Sequence, residues 1–229
     1  MKSPTRSDFL TVVITILICL IVVAIFVTLR YNSCNDDRFR DATVEQCISE
    51  AQTGDIVGVA YTSKRARLVR VFTGSMWIHT GIVVRTHDGT PWVLEAARYD
   101  PETKGMLASP LSEWLHYNED HTVAWRKHIG GTISSRKLRR VLAKVRRAKV
   151  NLYVVDWLKT MYKTSYDSTV LKRGKYYCSE FVALMMQELS IMGKQYDPSG
   201  YKPWELLYSS DLPLLGEHEY EANPSLLHP

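Results

Sequence analysis

The chain has 229 residues, 45% of them apolar, and a formal net charge of +5. That length allows one domain of ordinary size with accessories, and the apolar share supplies a real core, which excludes a disordered chain. Its histidines and cysteines stand at no zinc-ligand spacing, so no metal and no cofactor is expected.

Residues 1–8 read as a short polar head. Residues 9–29 contain no charge, no glycine and no proline. About 20 such residues span a bilayer as a helix, and the run is longer than the roughly 7–15 apolar residues of a cleaved leader. The expectation is a single-pass membrane protein with an N-terminal anchor. Lys2 and Arg6 precede the run and Arg30, Arg38 and Arg40 follow it, so the basic residues leave its orientation undetermined. Residues 30–48 read as a juxtamembrane spacer. A Cys34–Cys47 disulfide and two unpaired thiols are equally open there.

Thr43 is a plausible N-cap for a short helix reaching residue 52, with Gln46 three residues on. The stretch 54–60, beginning Gly54-Asp55, reads as a turn and a strand. Residues 67–72 read as a further strand or a loop. Residues 78–85 form an apolar, β-branched run, consistent with a buried strand. Asp88-Gly89 signals a hairpin turn, and 91–96 return as its partner. A short turn of helix follows over 111–115, then a third strand over 122–128. Ser134 or Ser135 can cap a helix over 136–149, a stretch that carries eight basic residues and no acid. Its Leu138, Val141, Leu142 and Val145 fall on one face. Residues 178–192 predict a helix with Phe181, Val182, Met185, Met186 and Leu189 on one stripe and Gly193 at its end. The proline-bearing remainder reads mainly as loop, apart from 204–210. The domain is therefore drawn over 49–215, with 216–229 as an acidic tail (Glu217, Glu219, Glu221).

Three residues carry chemistry. Cys178 stands where a helix begins, and a helix N-terminus lowers a thiol pKa through its unpaired amides. His79, in the first strand of the hairpin, can take the thiol proton and return it to a leaving group. Glu95 lies on the partner strand in an otherwise apolar run, where an unpaired carboxylate would be costly. Cross-strand neighbours lie about 5 Å apart, so Glu95 can orient His79.

The order His79, Glu95, Cys178 reverses that of papain, where the cysteine comes first. With Gly54-Asp55-Ile56-Val57, His79-Thr80-Gly81-Ile82-Val83, Val93-Leu94-Glu95-Ala96, Tyr177-Cys178-Ser179-Glu180-Phe181-Val182 and the segment 203–212, the chain resembles the circularly permuted branch of the NlpC-type papain-like superfamily, and within it the YiiX-like hydrolases. Poxvirus proteins and lecithin:retinol acyltransferase-like proteins are related to that branch. The resemblance implies an α+β fold, an antiparallel sheet packed by helices, here preceded by one transmembrane helix. It implies Cys178 as nucleophile, His79 as base and Glu95 as third polar group. It also implies cleavage or transfer of an amide, ester or thioester. An anchor would place the site at a bilayer, where the basic helix meets anionic headgroups, which favours a lipid or lipidated substrate. The alternatives are a peptidase or amidase with the same residues, and a membrane-anchored structural protein, as of a virus particle, that keeps the fold without turnover. No nucleic acid is expected, since aromatics do not interleave with the charges.

Overall fold

The computed structural model describes residues 14–18, 21–22, 25, 39–73, 75–97, 105–145, 149–150 and 175–228. The fold is α+β. Strands β1 (Arg40–Thr43), β2 (Ile56–Ala60), β3 (His79–Arg85), β4 (Pro91–Ala97), β5 (Gly105–Pro110), β6 (Thr122–Arg126) and β11 (Ser225–His228) make a seven-stranded sheet in the order β1-β11-β6-β2-β3-β4-β5. Every pair is antiparallel except β1 with β11. Short strands β7 (His128–Ile129) and β10 (Glu219–Tyr220) pair with each other, as do β8 (Lys149–Val150) and β9 (Lys175–Tyr176).

Helices cover both faces, which is why all five residues of β2 are buried. On one face lie α5 (Cys178–Leu189) and α6 (Pro203–Tyr208), with Phe181, Met185 and Leu207 packed among Ile56, Ile82, Val84 and Leu94. Leu138 of α4 (Ser135–Val145) joins them from the rim. On the other face lie α1 (Val44–Glu50) and α3 (Leu111–Tyr117), where Cys47, Leu111 and Trp114 pack on Val57, Val59, Val83, Val93 and Trp125.

A buried carboxylate fixes the start of β2. Asp55 accepts from the backbone N–H of Gln52 at 3.0 Å, from Trp125 Nε1 at 2.7 Å and from the His128 N–H at 2.8 Å. Burial pushes its carboxyl up to about 6, against the pull of those donors. Arg126, also buried, donates to the carbonyls of Leu206 at 2.8 Å, Ser209 at 2.9 Å and Glu221 at 3.1 Å. It thereby caps the C-terminal end of α6 with positive charge.

Several expectations are corrected. Among the described residues no helix is long and apolar enough to cross a membrane. Most of 9–29 lies outside the described residues, and the described ones, 14–18, 21–22 and 25, are helical. The single-pass anchor and the membrane location drawn from it are not supported. The ordered fold also reaches beyond 49–215. The spacer 30–48 contributes β1 and most of α1, and the tail 216–229 contributes β11, which fills the place between β1 and β6.

Residues 64–73 are not a strand or loop but the helix α2 (Lys64–Thr73), whose start is marked by Ser63 Oγ accepting from the Ala66 N–H at 3.2 Å. Thr43 does cap α1, accepting from the Gln46 N–H at 3.1 Å. Cys47 is fully buried and free, with its thiol pushed up by burial. Cys34, the stretch 151–174 and the polar head lie outside the described residues.

Helix α5 has no solvent stripe, since ten of its twelve residues are buried. It stops at Leu189, before Gly193, because Ser190 turns left-handed at φ 62°. Ser190 N–H then bonds Gln187 O at 3.1 Å and Ile191 N–H bonds Met186 O at 2.8 Å, closing a Schellman motif. A serine pays a steric penalty there that glycine does not. Ser190→Gly is expected to stabilise the fold by about 0.5–1 kcal/mol, read as a higher urea midpoint at unchanged slope.

Candidate active site

The site forms where the start of β3 meets the start of α5. Cys178 is the first residue of that helix, and Glu180 in the same turn accepts from the Tyr177 N–H at 3.1 Å. This carboxylate turns back to cap the helix and fixes its entry. The Cys178 sulfur lies 3.8 Å from the Ile78 carbonyl oxygen, and the cysteine is only half-buried. Cys47, by contrast, is fully buried.

His79 opens β3 and Glu95 lies near the end of β4. The residue directly opposite Glu95 is Gly81, not His79. His79 stands two residues from Gly81 on the same face, so the pair meets diagonally. Glu95 Oε2 lies 2.6 Å from His79 Nε2. No Cβ fits at Gly81 without a shift of its neighbours. A Cβ at Gly81 would stand 2.6 Å from Val93 Cγ1 and 3.5 Å from Glu95 Cβ. Since Glu95 occupies Nε2, Nδ1 is the nitrogen left for the thiol.

The electrostatics follow from this geometry. Burial works against charge on His79, but the Tyr61 phenol, the Cys178 thiolate and the Glu95 hydrogen bond outweigh it and hold the imidazolium well above its ordinary range. Burial likewise works against the Cys178 thiolate. The His79 charge, a hydrogen bond to His79 and the backbone N–H groups of Thr80 and Ser179 outweigh it, and the thiol is pushed below its ordinary range. The two shifts are two sides of one coupling, in which each charge favours the other.

All three residues singled out in the sequence are thus brought together. Spacing gave no sign of two others. The Tyr61 ring lies over His79 with centroids 5.9 Å apart, and its neighbour His121 meets it edge-on at 4.9 Å. Trp114 Nε1 donates to Glu95 Oε2 at 2.9 Å. The one available hint for Trp114 was general, since a buried indole N–H usually finds a partner. Among the described residues no group of three or more His, Cys, Asp or Glu is placed to hold a metal ion. On α4, Arg136, Arg139 and Arg140 are exposed.

Comparison with curated proteins gives no match. Among solved structures the chain is similar to the crystal structure of metalloprotein yiiX from Escherichia coli O157:H7, with 19% identity over 78% of this chain and 97% of that chain, at a TM-score of 0.43. Residues 50–200 match the family described as permuted papain-like amidase enzyme, YaeF/YiiX, C92 family. That match takes in Asp55, His79, Glu95 and Cys178 and covers well over half of the chain, so the protein belongs to the YaeF/YiiX family of permuted papain-like amidases.

Proposed function

We propose that this protein is a thiol amidase in which Cys178 is the nucleophile, His79 the general acid and base, and Glu95 the group that orients His79. The observation that carries the reading is the 2.6 Å bond between His79 Nε2 and Glu95 Oε2, made beside a half-buried cysteine at a helix start. The thiolate attacks the substrate carbonyl carbon, and the carbonyl π electrons move to oxygen. The first-turn amides of α5, which no helix carbonyl satisfies, offer donors to that oxyanion. As the C–N bond breaks, His79 gives its Nδ1 proton to the departing amine and an acyl thioester remains on Cys178. Water then gives a proton to His79 and attacks the thioester. The acid leaves, and the thiolate re-forms beside the imidazolium. Glu95 holds the Nε2 proton throughout, so Nδ1 remains the reacting nitrogen.

The family favours an amide over an ester as the scissile bond. The preference for a lipid substrate rested on a membrane anchor, and it lapses with that anchor. A fold kept without turnover predicts an ordinary thiol at Cys178, which the following measurements exclude or reveal.

The rate of Cys178 alkylation by iodoacetamide, read from the mass of its peptide, follows the thiolate. The thiol is pushed below its usual range of about 8.5, so the thiolate is present above the lowered value and is lost only as pH falls through it. Wild type is expected to react fast at pH 7, and His79→Ala to shift the rising limb to the alkaline side. Equal, ordinary profiles in both would remove the activated thiol. With amide substrates, Cys178→Ala is expected to abolish the acyl-enzyme seen by intact-protein mass. Glu95→Gln is expected to lower kcat by about 10²-fold or more, through the wrong imidazole tautomer. Undiminished acyl-enzyme in Cys178→Ala would transfer the nucleophile's role elsewhere.

A further inference from the structure

We propose that Trp114 is a positioning residue of this site, acting through Glu95 to keep its carboxylate ionised and its Oε2 aimed at His79. The inference rests on the Cys178–His79–Glu95 reading above and extends it to the far side of the sheet. One carboxylate oxygen, Oε2, receives two donors, His79 Nε2 at 2.6 Å and Trp114 Nε1 at 2.9 Å. Glu95 is 1% exposed and Trp114 is 2% exposed. A carboxylate so placed loses nearly all hydration, and hydrogen bonds to its charged form must replace water.

The indole is itself held. Its helix α3 is anchored by buried Leu111 and Leu115. The Trp114 carbonyl accepts from Nδ2 of fully buried Asn118 at 2.8 Å. The ring therefore has a fixed place from which to donate. Among the described residues, Cys178 from α5 and Tyr61 after β2 face the pair, and His121 before β6 meets Tyr61.

The consequence concerns one proton. With two donors on Oε2 the carboxylate stays anionic, and the proton between it and His79 stays on Nε2. Without the indole N–H the buried carboxylate is a stronger base. The proton then moves from Nε2 to Oε2, which leaves a neutral acid beside a neutral imidazole. The thiolate loses its cationic neighbour, and its pKa rises. Trp114 thus governs the thiol through two intermediaries without touching the reacting atoms.

The test uses the full chain and the Cys178 alkylation profile against pH. Four proteins are compared: wild type, Trp114→Phe, Glu95→Gln and the double variant. Phenylalanine keeps most of the packing and removes the donor. Trp114→Phe is expected to move the rising limb up by about one pH unit, so alkylation on that limb slows about tenfold. In the Glu95→Gln background the same substitution is expected to add nothing. An unchanged profile in Trp114→Phe, beside a wild type that still depends on His79, overturns the inference and leaves the proposed function standing. A full additional shift in the Glu95→Gln background also overturns it, because the indole then acts by another route. An ordinary thiol profile in wild type, indifferent to His79→Ala, removes the underlying reading as well. Should Trp114→Phe fail to fold, the indole proton resonance of Trp114 in wild type decides the matter. A shift that titrates in step with Cys178 supports the inference, and a flat one overturns it.

Discussion

Helix α5 is buried on nearly every side, and that constraint orders the rest of the molecule. Its apolar residues face more than one side, so it is stable only when surrounded. The sheet supplies one wall through Ile82, Val84 and Leu94, while α4, α6 and the 3₁₀ turn Pro198–Gly200 supply others. Once α5 is enclosed, its first residue has little choice of position. Cys178 meets the beginning of β3, although about a hundred residues separate them in the chain. The chemistry thus rests on apolar burial first and on polar contacts second.

The sheet performs the complementary task. Its two faces are loaded differently, with α5 on one and α3 on the other. His79 and Glu95 share a face with Val83 and Val93, residues that pack toward α3. Cys178 arrives from the helix on the opposite face. The pair can meet only because His79 is the first residue of its strand, at the sheet's margin. A histidine two positions later, at Gly81, would lie inside the sheet and out of reach of the helix start.

Much of this was legible before any coordinates. The hairpin announced itself through Asp88-Gly89, the first helix through Thr43, and the site through residues whose chemistry has few other uses in apolar strands. What escaped was of three kinds. Helix α2 hid because Val69, Val71 and Phe72 favour strands locally, and tertiary context overrode them. Strand β11 hid because its four residues have too little pattern to distinguish a strand from a loop. Trp114 hid because hydropathy reports that a side chain is buried and never what its polar atom touches. The apolar run 9–29 misled in the opposite direction. Composition alone met the rule for a span, and among the described residues no helix is long and apolar enough to cross a membrane. The lipid preference was an inference stacked on that rule, whereas the preference for an amide comes from the family match.

The parallel pairing of β1 with β11 bears on how such a fold could arise. Arg40 lies beside Ser225 and Thr43 beside His228, so the first and last strands of the sheet are immediate neighbours. The distance from the end of one to the start of the other is about 10 Å, three residues of strand rise. A crossover linker of about a dozen residues, as parallel strands need, would close the sheet into a continuous loop of chain, and a cut elsewhere would open it again with the same neighbours in place. Gene rearrangement could therefore carry the nucleophile's helix from the front of a papain-like sequence to its back without moving a side chain in space. Reversed residue order and preserved geometry are compatible because the seam lies in the sheet, far from the chemistry.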